Sequence, residues 1–106
     1  MRITITARHC VVPPELRARA RTLLERLARV AARPHDAQVV FVADHGRPTV
    51  EVRLHAARRT LHVGTARGTD HGSALDQAVA KVRRQLEKSP ARRRAAARRL
   101  TPGRSP

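Results

Sequence analysis

Apolar and polar residues alternate in several short runs of this chain, a period of two that is typical of β-strands. The runs are residues 2–8, 37–43, 50–55 and 60–66. The second run, AQVVFVA, is apolar on both sides, which predicts a strand in the middle of a sheet. The last two runs are close in sequence and predict a hairpin.

The register of this hairpin follows from the length of its loop. A four-residue loop, residues 56–59, places Leu54 opposite Leu61 on the buried face. The same register places His55 and His62 on the outward face. The inward residues are then Val50, Val52, Leu54, Leu61, Val63 and Thr65.

Two other segments have apolar residues at helical spacing. The first extends from Glu15 to Ala32, after a proline pair whose second member fits the first helical turn. The second follows Asp70, a predicted N-cap, and ends at residues 89–90. The core stripes are Leu16, Ala20, Leu23, Leu27 and Val30 in the first helix, and Leu75, Val79, Val82 and Leu86 in the second. The order β-α-β-β-β-α predicts an α+β fold in which both helices pack on one face of a four-stranded sheet.

The net charge of the chain indicates what kind of partner it binds. Lys and Arg outnumber Asp and Glu by 23 to 8 in a chain of 106 residues, for a net charge of +15. We expect residues 1–90 to form one domain and residues 91–106, an Arg/Ala-rich segment, to form a tail that is disordered without a partner. The tail contains six of the 23 basic residues and no acid, which leaves residues 1–90 at +9. A domain this basic indicates a polyanionic partner.

The second helix has a positive stripe that contains no acid. Lys81, Arg84 and Lys88 share it with Gln77. A merely solvated face is the simpler interpretation of one such helix. The basic domain, the adjoining tail and the arginines on the outer side of the first helix (Arg17, Arg21 and Arg29) favour a phosphate-binding surface instead. The predicted RNA-binding residues are Lys81, Arg84, Lys88, Arg92 and Arg93.

Several functional classes are disfavoured. With one Phe and neither Trp nor Tyr, the sheet cannot stack bases as RRM and OB folds do. No apolar run approaches the roughly 18 residues of a membrane span, and the apolar faces of the helices are needed by the sheet. The single cysteine, Cys10, cannot form an internal disulfide and is compatible with the reducing cytoplasm.

Catalytic and metal-binding chemistry also lacks support. The pairs at residues 9–10, 44–45 and 70–71 each bring a His next to a Cys or an Asp, but neighbouring side chains on an extended chain point apart. His55 and His62 are too few ligands for a zinc site. We therefore expect no enzyme activity, no cofactor and no metal.

The segment GTDHGSALDQAVAKVRRQLEKS, residues 68–89, resembles the C-terminal helix of the ribosome hibernation-promoting factors and ribosome-associated translation inhibitors. The matching positions are Gly68, Asp70, Ala74, Leu75, Asp76, Lys81, Val82, Arg84, Gln85, Leu86 and Lys88. The opening RITITARH, the pair at residues 16–17 and the hairpin VEVRLHAARRTLHV also fit. The resemblance covers residues 1 to about 90. The chain departs from the family pattern at Gly72, where an aromatic is usual, and in its arginine tail.

This resemblance implies a fold similar to double-stranded RNA-binding domains and a bacterial-type stress-response function. It implies binding to the small ribosomal subunit in the channel for mRNA and tRNA, with rRNA contacted by the basic helix residues, here Lys81, Arg84 and Lys88. Such a factor, here of the short form and monomeric off the ribosome, inhibits translation sterically and holds 70S ribosomes idle. From the residues alone, a general structured-RNA-binding protein or RNA chaperone and a DNA-compacting protein stay open.

Overall fold

The computed structural model describes residues 1–88 and has the predicted order of elements. The strands are β1 (Arg2–Arg8), β2 (Asp36–Asp44), β3 (Arg47–Ala56) and β4 (Thr60–Arg67), and the helices are α1 (Pro14–Val30) and α2 (His71–Glu87). The strands form one sheet in the order β1-β2-β3-β4, and both helices pack on one of its faces. The expected α+β fold is confirmed.

The sheet is mixed. β1 pairs with β2 in parallel, with α1 as the crossover, and the other two pairings are antiparallel. β2 and β3 are joined by the two-residue turn His45–Gly46, where both residues have positive φ angles, as a type I′ hairpin requires. The predicted central position of β2 is confirmed.

α1 differs from its prediction at one end and in its buried stripe. Pro14 begins the helix as expected, but the backbone is already extended at Ala31, so the helix ends at Val30 rather than at Ala32. Leu24, which the predicted stripe omits, is fully buried together with Ala20 and Leu27. The other predicted stripe residues are partly buried and pack against the core: Leu16, Leu23 and Val30.

The core between helices and sheet is aliphatic around a single aromatic ring. Phe41 is fully buried, so its ring, the one phenyl group of the chain, is not available for stacking on a base. α2 buries the four predicted residues and two alanines, Ala74 and Ala78. Each fully buried Val or Leu contributes about 1.5–3 kcal/mol relative to an exposed one, and these contacts hold α2 against the sheet.

The predicted register of the last hairpin is wrong by one residue. The connection is a three-residue turn, Ala57–Arg59, so that Leu54 lies opposite His62 rather than Leu61. Since a slip of one residue exchanges the two faces of a strand, the buried residues of β4 are His62, Gly64 and Ala66. The predicted inward residues face the other way: Leu61, Val63 and Thr65.

Two local features account for this register. Arg58 and Arg59 adopt left-handed backbone conformations, with φ of 60° and 57°, which lets three residues reverse the chain. α2 also packs so close to β4 that a Cβ at Gly64 would lie 2.4 Å from the carbonyl oxygen of Ala78. Only glycine fits this position of the buried face, so an apolar pattern in the sequence cannot reveal it.

Candidate nucleic-acid interface

The positive stripe on α2 begins with a well-defined helix start. The Asp70 carboxylate accepts a hydrogen bond of 2.7 Å from the backbone N–H of Ser73, which confirms the predicted N-cap. The same N–H lowers the pKa of the Asp70 carboxyl, because it stabilises the ionised form. The helix therefore begins at a defined residue, and the burial of its apolar side leaves its polar positions facing solvent.

The structure brings together three of the five predicted RNA-binding residues. Lys81, Arg84 and Lys88 are exposed, and with Gln85 they line an open groove of about 270 Å³. Their spacing of i, i+3 and i+7 puts them on one side of α2. The other two, Arg92 and Arg93, lie outside the described residues, as does the expected tail.

The groove lies where α2 covers the open edge of the sheet. β4 is an edge strand, so the backbone groups that point away from β3 need other partners. The Gln85 side-chain amide donates to the carbonyl oxygen of Val63 at 2.6 Å and accepts from the Val63 N–H at 3.1 Å. The Lys81 ammonium donates to the carbonyl oxygen of Thr65 at 2.6 Å. These bonds fix the positions of Lys81 and Gln85 within the groove.

Lys81 keeps donors for a ligand despite this bond. An ammonium group has three N–H donors, and the Thr65 carbonyl takes one of them. Its amine is held at the sheet edge, on the same side of α2 as Arg84 and Lys88. The arrangement suits contact with an anion that extends along the helix, such as a nucleic-acid backbone.

The acid Asp76, which helical spacing already places off the stripe, has a partner that the sequence did not suggest. Asp76 of α2 forms an ion pair with Arg19 of α1, on the side of α2 that faces the first helix. This pair offsets the charge of Arg19 and directs the Asp76 carboxylate away from Lys81. The α1 arginines expected on the outer side are exposed: Arg17, Arg21 and Arg29.

The prediction that His55 and His62 both lie on the outward face of the hairpin is wrong. His62 is only 8% exposed and lies on the inner face of the sheet. Burial lowers the pKa of His62, and the neighbouring Gln85 side chain partly opposes this effect. His55 remains outward, with its Nδ1 3.6 Å from a carboxylate oxygen of Asp36. Within residues 1–88, no three His, Cys, Asp or Glu residues are arranged to hold a metal ion.

The sequence matched Gln85 to the family pattern but did not indicate its hydrogen bonds to β4. Its amide pairs with the backbone N–H and C=O of Val63. This pairing can be predicted only when β4 is known to be the edge strand and its register is known. Cys10 is partly buried, and its Sγ lies 3.5 Å from the carbonyl oxygen of Phe41, which agrees with a packing role. None of the helices in the described part of the chain is long and apolar enough to cross a membrane.

Comparisons with known proteins agree with this architecture. A family model described as "Sigma 54 modulation protein / S30EA ribosomal protein" matches residues 3–94. A ribosomal subunit interface protein from Coxiella burnetii superposes with a TM-score of 0.73 at 19% identity, over 86% of this chain and 99% of that one. The N-terminal domain of Thermus thermophilus Protein Y gives 0.71 at 21% identity, over 83% and 98% of the two chains. No curated protein sequence matches significantly.

Proposed function

The chain belongs to the S30EA ribosomal protein family, which includes the ribosome hibernation-promoting factors, and on this premise we propose that it binds the small ribosomal subunit in the channel used by mRNA and tRNA. Occupation of that channel inhibits translation sterically and keeps 70S ribosomes idle. The function requires no catalysis and no cofactor, and it places the protein in the cytoplasm. The protein acts as a monomer off the ribosome.

The observation that carries this proposal is the groove between α2 and the edge of β4. Lys81, Arg84 and Lys88 line it without an acid, and Asp76 is held by Arg19 on another side of the helix. Side chains on one side of a rigid helix can follow successive phosphates of an RNA backbone. The buried Phe41 leaves shape and phosphate contacts, rather than base stacking, as the means of recognition.

Removal of the stripe tests the proposal. The variant Lys81→Ala, Arg84→Ala, Lys88→Ala should bind small subunits more weakly than the wild type in co-sedimentation. The slope of log affinity against log salt should become shallower by about two to three if each residue neutralises one phosphate. The helix should persist, because exposed substitutions usually change the free energy of unfolding by about 0.5 kcal/mol or less, although the change at Lys81 also removes the bond to Thr65.

A matched control removes three cations from the other face of the sheet. Arg8, Arg47 and Arg67 are exposed there, away from both helices. Their replacement by Ala lowers the net charge equally, and it should leave the salt slope close to that of the wild type. If both triple variants lose affinity equally, general charge rather than the groove determines binding, and the assignment of the groove is wrong.

Competition distinguishes a channel-binding factor from a general RNA-binding protein. We expect mRNA and tRNA bound to the subunit to displace the protein, and in vitro translation to fall as the protein is added. Equal affinity for free duplex RNA, without displacement, would instead support the general RNA-binding function. Deletion of residues 91–106 should flatten the salt dependence while the protein still binds at the same place on the subunit.

A further inference from the structure

Three arginines have unfavourable backbone conformations in the loops at one end of the molecule. Arg33, Arg58 and Arg59 have φ angles of 49°, 60° and 57°, in the left-handed region that glycine adopts without steric hindrance. All three are exposed. A residue held in a sparsely populated conformation persists where its side chain or its surroundings require it, and such residues cluster at functional sites.

A backbone hydrogen bond joins the two loops that carry these arginines. The N–H of Ala57 donates to the carbonyl oxygen of Ala32 at 2.9 Å. Each of these alanines directly precedes one of the arginines, so the bond fixes Arg33 beside Arg58. A second bond, from the N–H of His35 to the carbonyl oxygen of His55, anchors the same loops to the sheet at 2.9 Å.

The topology brings one further cation, Lys88, to this end. β1 and β2 are parallel, so the end of α1, the start of β2 and the turn between β3 and β4 share one end of the sheet. α2 runs antiparallel to β4, since Lys81 bonds to Thr65 and Gln85 to Val63. One further turn of the helix therefore puts Lys88 level with Leu61, close to the arginine loop.

Few acids oppose this charge. Asp36 faces His55 at 3.6 Å, and Glu87 is the last residue of α2. No carboxylate within residues 1–88 comes within 4.0 Å of the guanidinium groups of Arg33, Arg58 or Arg59. The guanidinium group presents a planar set of donors that matches the oxygens of a phosphate, so these side chains are suited to a phosphodiester backbone.

We propose that Arg33, Arg58 and Arg59 form a second phosphate-binding site, which holds an RNA backbone at the end of the molecule where both helices end. The site rests on the proposed function, since it extends the α2 groove past Lys88 into one continuous ribosomal RNA contact. It contributes separately from the groove, because its residues lie on two loops outside α2.

Replacement of the three arginines by glycine separates binding from stability. Glycine removes the charge and also the backbone strain, so the triple variant should fold with an unchanged or higher thermal midpoint. Its salt slope on small subunits should be shallower than that of the wild type by about two to three. The Arg→Lys triple variant keeps the charge and should retain the slope. His45→Gly relieves a positive φ of 53° at the opposite end and should leave binding unchanged.

The same variants are measured on a short free RNA duplex. If the wild-type protein does not bind small subunits, the proposed function is wrong. Binding to the duplex still tests whether the three arginines contact phosphates. A glycine variant with the wild-type salt slope on both RNAs would overturn the second site. A lower midpoint with an unchanged slope would also overturn it, since the arginines would then serve only to stabilise the helix ends.

Discussion

At the scale of single residues, Gly64 determines how closely α2 approaches the sheet. An ideal Cβ at this position would lie 2.4 Å from the Ala78 carbonyl oxygen and 3.0 Å from side-chain atoms of Lys81 and Val82. The nearest atom belongs to the backbone of a helix fixed by its own core contacts, so it cannot move away alone. The distance between helix and strand, and with it the position of Lys81, depends on this absent side chain.

We therefore expect Gly64→Ala to destabilise the fold by about 1–3 kcal/mol, the range for overpacking of a close-packed core. Urea unfolding of the wild type and the variant measures the difference. Thr65→Ala is the matched control, because its side chain faces solvent on the same strand, and its effect should be within about 0.5 kcal/mol. Equal effects of the two substitutions would contradict this account of the close approach.

At the scale of elements, the last hairpin shows what the sequence could and could not predict. The alternating pattern predicted both strands correctly, because each has small or apolar residues on one face. The pattern could not decide which face of β4 is buried, since Leu61 and Val63 are more apolar than His62 and Gly64. That choice depends on a three-residue turn with two arginines at positive φ and on the close approach of α2.

The candidate site was predictable to the extent that it depends on helical periodicity. Lys81, Arg84 and Lys88 follow from their spacing alone once α2 is recognised. The role of Gln85 and the pair between Arg19 and Asp76 depend on contacts between elements, which periodicity within one element does not determine.

The two hydrogen bonds between the Gln85 side chain of α2 and the Val63 backbone of β4 lead to a prediction for the edge of the sheet. Gln85→Ala leaves one donor and one acceptor of β4 without their partner, which should cost about 1 kcal/mol. It also leaves an edge on which a second chain can pair. Sedimentation velocity at rising protein concentration should show more self-association than in the wild type. Gln77→Ala, a change at an exposed glutamine on the same helix, should show none; the idea fails if both variants behave alike.

At the scale of the whole molecule, charge is distributed unevenly along the sheet direction. The end where both helices finish carries the arginines of the two loops and Lys88 with two acids, Asp36 and Glu87. At the other end, three acids offset the exposed arginines: Glu15, Asp44 and Asp70 against Arg8, Arg47 and Arg67. The net positive charge is thus concentrated at the end where both helices finish. A field of this kind orients an approaching polyanion before contact is made.

The parallel pairing of β1 with β2 has a consequence for the order of folding. Arg2 pairs with Asp36 across the whole of α1, whereas β2, β3 and β4 are joined by turns of two and three residues. Closure of the long loop is entropically less favourable, so we expect β2, β3 and β4 to be formed in the folding transition state and β1 to dock after it.

Val52→Ala should therefore mainly slow folding, and Ile5→Ala should mainly speed unfolding, in stopped-flow measurements across denaturant concentrations. The reverse assignment of rates would place β1 in the nucleus. Because a chain is synthesised from its N-terminus, β1 is made before its partner β2. Ile3 and Ile5 therefore stay unpaired until the other three strands have been made and have formed their sheet.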